Sequence, residues 1–381
     1  MPLEQEKEAA ICMDIKIKKG KILVYRVFDI GSEINLDTLE KLVEDQHPKE
    51  RFKLDRKPNV SLVISRTPVS MGLGLVELNV MGTKVTAELY VRVWHFGTVS
   101  FSFHIPIEES TTWFELVKIA SWLEKDGSEI DEIARMRSRQ FQQQIRPAIL
   151  SLTQWSINED YVIYFIQELE GLTSPLVTLP EKVDVPALIL AEAREVLADS
   201  LKKTIMENIS QYSVDDLVVV DWNSALVIEP SGSMDVPLVI EFALNQLLEM
   251  RFYDDLLDQR LNALYSAVAG KKRGLFSNKY SRQAEEAGQI YLEISEIVEN
   301  VENSFKIVGD FYLATIFRAS SKRFRFDDWQ KSINEKLSNL AEFSKLLHSE
   351  VSESRSQMME IIVIILIGIE VMPFLYGHFV K

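Results

Sequence analysis

The chain has 381 residues, a hydrophobic fraction of 46% and a formal net charge of −15. This length and hydrophobic content allow two folded domains plus an appendage and exclude a largely disordered chain, while the acidic charge disfavours general attraction to nucleic-acid phosphates. The single cysteine, Cys12, excludes an intramolecular disulfide and a cysteine-rich zinc site. The first residues are acidic and polar, so neither a signal peptide nor a transit peptide is expected.

Residues 1–125 are predicted to form a small α/β sandwich. Apolar residues alternate on two arms, from Val85 to Val93 and from Val99 to Ile105, around Gly97. This pattern predicts an antiparallel hairpin. A continuous apolar run from Ile22 to Phe28 predicts a further strand, and helical spacing predicts short helices over Asp37 to Val43 and Trp113 to Leu123.

Residues 126–237 are predicted to form a mixed α/β middle region. A charged helix is expected over Ile130 to Phe141, and short strands over Tyr161 to Ile166 and Leu217 to Val220. Pro186 stands immediately before a second predicted helix, Ala187 to Ile209.

Residues 238–360 have the pattern of a helical bundle or stalk. Periodic apolar residues predict long helices over Leu238 to Ala267, Ala284 to Ala319 and Asp327 to Glu360. An apolar stripe on each helix has to face another stripe, so the segments are expected to pack as an antiparallel bundle or coiled coil. The fold class predicted for the whole chain is therefore α+β.

The C-terminal residues 361–380 read IIVIILIGIEVMPFLYGHFV and predict a transmembrane helix, because twenty residues at about 1.5 Å each span about 30 Å. The expected localisation is a single-pass tail anchor in a membrane with the body on the cytosolic side, in contact with membrane lipid. A buried core helix is the alternative, since Glu370 is costly in lipid, and pairing of Glu370 between copies predicts a homo-oligomer. The predicted anchor residues are Ile361, Ile362, Val363, Ile364, Ile365, Leu366, Ile367, Gly368, Ile369 and Glu370.

Three stretches of the chain are similar to the family called required for meiotic nuclear division. They are the hairpin tip from Trp94 to Phe101, the stretch from Ala243 to Leu257, and the segment in which Arg355, Met359 and Glu360 lead into the apolar run. The resemblance implies a membrane-attached, oligomer-forming protein. His95 stands where arginine is expected, and the absence of a transit peptide argues against carrying over the family's role in mitochondrial translation.

Two groups of charged residues are candidate sites. Glu249, Asp254 and Asp258 lie on one predicted helix and could hold a divalent cation or share acid and base roles. The alternative is a solvated or salt-bridged helix face, which Arg251 and the lack of nearby histidines favour. Contact with lipid headgroups or RNA is the possible role of a basic connector, composed of Lys271, Lys272, Arg273, Lys279 and Arg282.

These observations favour a non-catalytic, membrane-tethered and oligomeric scaffold that recruits an unknown protein partner and needs no cofactor. One alternative is a metal-dependent membrane-associated hydrolase or nuclease that uses the three carboxylates. Another is an RNA-binding translation-support factor, which rests on family analogy and on the basic connector.

Overall fold

A computed structural model describes residues 15–43, 49–51, 67–152, 157–171, 175–269, 281–304 and 311–379. The chain divides into two units. The first consists of Met1–Glu249 with Ser304–Asp327, and the second of Met250–Asn303 with Asp328–Lys381. The first unit contains a β-sheet with its covering helices and the second is helical, which confirms the predicted α+β class.

The strands follow one another from the N-terminal part of the chain. They are β1 (Ile17–Asp29), β2 (Lys49–Arg51), β3 (Val69–Val80), β4 (Thr83–Val93), β5 (Thr98–Pro106), β6 (Asn158–Leu169), β7 (Ile209–Ser210), β8 (Leu217–Val220) and β9 (Ser224–Ile228). The helices are α1 (Leu36–Val43), α2 (Trp113–Asp126), α3 (Ser128–Gln144), α4 (Pro175–Lys182), α5 (Val185–Ile189), α6 (Asp199–Met206), α7 (Asp235–Ala269), α8 (Ser281–Ser304), α9 (Phe311–Arg323) and α10 (Phe326–Phe379). A 3₁₀ turn, Arg146–Ala148, follows α3.

Within the described residues, one sheet of nine strands has the order β2-β3-β4-β5-β1-β6-β9-β8-β7. Strand β1 pairs antiparallel with both β5 and β6, whereas β6 and β9 are parallel. The predicted hairpin is confirmed as β4 and β5, in the register Val93 opposite Val99. Because β6 to β9 join the same sheet, the sheet extends beyond the sandwich of residues 1–125 that the sequence predicted.

Helices cover both faces of this sheet. On one face, the ring centroid of Phe101 lies 6.2 Å from that of Phe141 in α3. On the other face, Trp94 lies 5.2 Å from Phe242 in α7. The central strand β1 is therefore buried on both sides, which explains why its apolar residues run continuously from Ile22 instead of alternating with polar ones.

The tip of the β4–β5 hairpin packs directly on the connection between β1 and α1. Gly97 has φ +107°, and a Cβ placed there would lie 1.7 Å from the carbonyl oxygen of Gly31. The Ile30 amide donates to the Gly97 carbonyl at 3.1 Å, and the Ile34 amide to the His95 carbonyl at 2.8 Å. Glycine at position 97 therefore permits both the turn and the close approach of the two backbones.

In the helical unit, α7 and α10 run parallel. The Ser332 hydroxyl donates to Asp254 at 2.6 Å, and the rings of Tyr265 and Phe343 lie 4.8 Å apart. The residues in contact therefore follow the same order along both helices. Helix α8 also contacts α10, where the Ser344 hydroxyl donates to the Ala284 carbonyl at 3.4 Å. The short connectors predicted antiparallel pairing of consecutive helical segments, and α7 and α10 are the first and third of these segments.

The predicted transmembrane helix and tail anchor are wrong. Of the helices in the described ranges, none combines the length and the apolarity that crossing a membrane requires. The predicted anchor is the end of the long helix α10, and its uninterrupted apolar stretch, Ile361 to Ile369, has nine residues before Glu370. At about 1.5 Å per residue this stretch covers about 14 Å, roughly half of a bilayer core. The membrane localisation that was predicted from this helix is wrong for the same reason.

Candidate functional site

A groove of about 560 Å³ lies between α2 and the α4–α6 region. We call it the α2–α6 groove. Trp113 and Val117 of α2 form one wall, and Val183 and Pro186 form another. The segment 192–196 and Met206 of α6 complete the lining. Its volume falls in the range that ligand-binding clefts occupy, and most of its side chains are apolar.

Asp184 holds the walls of the groove together. Its carboxylate accepts from the Ala187 amide at 3.1 Å, which caps α5, and from Lys202 of α6 at 2.5 Å. Its carbonyl accepts from the indole nitrogen of Trp113 at 3.3 Å. One residue therefore connects α2, α5 and α6. An aspartate cap followed by proline is a helix-start signal that the sequence carried.

A break in the predicted helix Ala187 to Ile209 opens the groove. The structure has α5 and α6 instead, separated by residues 190–198. Ala191 has φ +51°, and the Glu192 carboxylate accepts from the amides of Arg194 at 2.8 Å and Glu195 at 3.2 Å. Side-chain bonds of this kind compete with the helical pattern, so the chain leaves the helix here despite its apolar periodicity. Those backbone bonds also lower the pKa of Glu192.

A second, smaller recess of about 200 Å³ lies where α2 and α3 meet strands β1, β6 and β9. We call it the Arg26 pocket. Arg26 donates to Asp131 at 2.5 Å and to the Tyr25 carbonyl at 2.8 Å, and its side chain is 8% exposed. Asp160, Asn223 and the start of α3 also line the pocket. The Oδ1 atom of Asn223 is buried without a hydrogen-bond partner in the described part of the chain.

A buried polar contact joins α7 to the sheet. Arg92 and Ser100 both donate short hydrogen bonds to the Glu241 carboxylate, and Thr98 donates to Asn245 at 2.7 Å. Burial lowers the pKa of Arg92 to about 10. These residues lie on the opposite sheet face from the two recesses. Sequence patterns did not single out this contact, because Arg92 and Ser100 fall on positions that alternation assigns to a solvated face.

The structure brings together two of the three predicted metal ligands, but around a lysine. The ammonium group of Lys336 lies 2.8 Å from Asp254 Oδ1 and 2.6 Å from Asp258 Oδ2. Burial alone lowers the pKa of Lys336, but the hydrogen bonds and charges of both aspartates outweigh it and raise that pKa. Glu249 is buried and belongs to the other unit. No cluster of ligating side chains that could hold a metal occurs in the described ranges.

Four residues of the basic connector lie outside the described residues: Lys271, Lys272, Arg273 and Lys279. Arg282 is exposed near the start of α8. The predicted anchor residues from Ile362 to Ile367 are exposed along α10.

Comparison with known proteins identifies a different family from the one that the sequence motifs resembled. Residues 19–235 match the family model described as uncharacterized protein MJ0711, N-terminal domain. A relative, the uncharacterized protein MJ0711 of Methanocaldococcus jannaschii, is 21% identical over 217 residues. The aligned region covers 56% of this chain and 65% of the relative, so less than two thirds of the relative is spanned. No solved structure matches the chain.

The resemblance to the family required for meiotic nuclear division is therefore wrong. Its motifs were short, and in the structure the hairpin tip has a packing role that explains its glycine without any shared ancestry. The family match begins at the third residue of β1 and ends at the first residue of α7, so it contains the rest of β1, every later strand that the structure describes and both recesses. The chain belongs to the family of the MJ0711 N-terminal domain.

Proposed function

We propose that this protein is a non-catalytic, self-associating recruitment protein that holds an apolar segment of a protein partner in the α2–α6 groove. The observation that carries the proposal is the groove itself, which combines a mostly apolar recess of about 560 Å³ with the exposed apolar side chain of Val196.

The border of the groove favours a protein segment over a small molecule. Val196, which lines the groove, is 96% exposed. A small ligand would fill the recess and leave this side chain in water. An exposed apolar residue beside an apolar recess is typical of a protein-binding surface.

The charges that line the groove balance one another. Lys202 is already paired with Asp184. Arg194 and Lys203 also line the groove, and so do Glu192 and Glu195. The groove therefore has no excess charge of either sign, and its apolar side chains decide which partner segment fits.

Self-association is supported by the end of α10. From Ile362 to Met372, nine apolar side chains are between 45% and 73% exposed. Consecutive residues of a helix point in different directions, so this apolar surface surrounds the helix. Two copies of the chain present the same surface to each other, and a symmetric contact between identical apolar helices removes both from water.

The hydrolase alternative receives no support from the carboxylates on which it rested, since Asp254 and Asp258 bind Lys336. The RNA-binding alternative rested on a connector that lies mostly outside the described residues.

Selection of peptides from a displayed library on the full chain tests the groove. Enriched peptides are expected to be rich in apolar residues. Val196→Asp should weaken their binding about tenfold, because burial of a valine contributes about 1.5 kcal/mol or more. Lys331→Glu, at an exposed position of α10, is the matched control. Peptides that bind all variants equally, or no enrichment at all, would overturn the proposal.

A further inference from the structure

The Arg26 pocket is lined by charged groups of both signs. Arg26 extends from the central strand β1, Asp160 from β6, and Asn223 lies in the turn between β8 and β9. Lys125 and Glu124 stand at the mouth and are exposed. A recess that contains this many ionised groups would be costly to fill with an apolar ligand.

One side of the pocket suits a carboxylate. Arg26 donates hydrogen bonds through its Nε and Nη1 atoms, and its Nη2 atom has no partner in the described ranges. Gly127 and Ser128, at the start of the 17-residue helix α3, line the same recess, and no side chain caps this helix. An arginine fork is a geometry that binds carboxylates.

The other side suits a hydrogen-bond donor. Asn223 lines the pocket, and its Oδ1 atom is buried and has no donor among the described residues. Leaving such an acceptor unsatisfied destabilises the empty protein. Asp160 lines the same recess, is exposed, and forms no ion pair within the described part of the chain. An ammonium group could donate to both.

We infer that the Arg26 pocket binds a small zwitterion, a free α-amino acid, with its carboxylate at Arg26 and its ammonium group at Asn223 and Asp160. The volume of about 200 Å³ fits this class. At about 30 Å³ per water molecule, it corresponds to roughly seven waters, which is enough for an amino acid and too little for a nucleotide. The site is separate from the α2–α6 groove and its occupancy does not depend on a protein partner.

The strained residue Ala191 fits a built site. It lies in this pocket with φ +51°, and its neighbours Ile189 and Ser224 are fixed by a 2.8 Å hydrogen bond from the Ser224 hydroxyl to the Ile189 carbonyl. A left-handed alanine persists only where the surrounding structure holds it.

Calorimetric titration of the full chain with each of the twenty proteinogenic amino acids tests the inference. At least one amino acid is expected to bind, whereas propionate and isopropylamine, which each lack one of the two charged groups, are not. Asp160→Asn should weaken binding by about tenfold or more, because it removes a charge-assisted hydrogen bond. Asp215→Asn, an exposed position outside the pocket, is the matched control.

Asn223→Ala gives a second readout that a purely structural role would not produce. Binding should weaken about tenfold, while the unfolding temperature of the ligand-free chain stays the same or rises, because the substitution removes an unsatisfied acceptor. The inference is overturned if no amino acid binds, if propionate or isopropylamine binds as well as the amino acids, or if Asp160→Asn and Asp215→Asn bind equally. Peptide binding at the groove is measured separately, so failure of one proposal does not imply failure of the other.

Discussion

Lys336→Met should destabilise the helical unit by about 2–3 kcal/mol. The ammonium group lies within 3 Å of both aspartates, and the side chains of Lys336 and Asp254 are only 17% and 16% exposed. Removing one partner of a buried ion pair costs about 3–5 kcal/mol, and the partial exposure lowers that value. Asp258 is 53% exposed, so its part is expected to be at most about 1 kcal/mol.

Urea unfolding followed by circular dichroism measures this cost, and amide hydrogen exchange locates it in α7 and α10. A double-mutant cycle with Asp254→Asn isolates the pair, with an expected coupling of about 1–3 kcal/mol. Lys331→Met is the control, because its ion pair with Glu335 is exposed and should contribute less than about 0.5 kcal/mol. The reasoning is refuted if Lys336→Met costs no more than the control, or if Mg²⁺ or Mn²⁺ stabilises the native chain and Asp254→Asn abolishes that effect.

Two further predictions concern pH and assembly. Burial, with the nearby charges of Lys21 and Arg92, lowers the pKa of His104 to about 3 from 6.5. The unfolded chain therefore binds a proton that the folded chain does not, and stability should fall by about 1.4 kcal/mol per unit as pH decreases below 6.5. Urea unfolding at about pH 7 and about pH 5.5 should reveal this loss in the native chain and its reduction in His104→Gln; parallel pH profiles would contradict it. A chain that ends at Glu360 should form an assembly of fewer copies than the full chain, as measured by light scattering. Equal numbers of copies would exclude self-association through the end of α10.

Local signals in the sequence predicted elements well where one pattern dominated. The β4–β5 hairpin followed from strict alternation around Gly97, and α7 followed from apolar residues at helical spacing. The direction of α7 relative to α10 depends on which distant residues meet, such as Tyr265 with Phe343. Periodicity carries no information about that choice.

The candidate sites were beyond reach of the sequence for a related reason. The walls of the α2–α6 groove come from residues 113–117, 180–187 and 192–206, which are separate in sequence and meet only in the folded chain. The groove also depends on the break after α5, where bonds to Glu192 override a periodic pattern that predicted helix. The acidic triplet was conspicuous in sequence, yet its cation is a lysine about eighty residues away on another helix.

Glu241 also sets where α7 sits along the sheet. It is 1% exposed and accepts from Arg92 and Ser100, and one helical turn later Asn245 meets Thr98. A slide of α7 by one turn would place an amide opposite Arg92 and leave the carboxylate against apolar residues, which is costly. Apolar packing alone tolerates such slides. The buried carboxylate therefore fixes the position of α7 along the sheet.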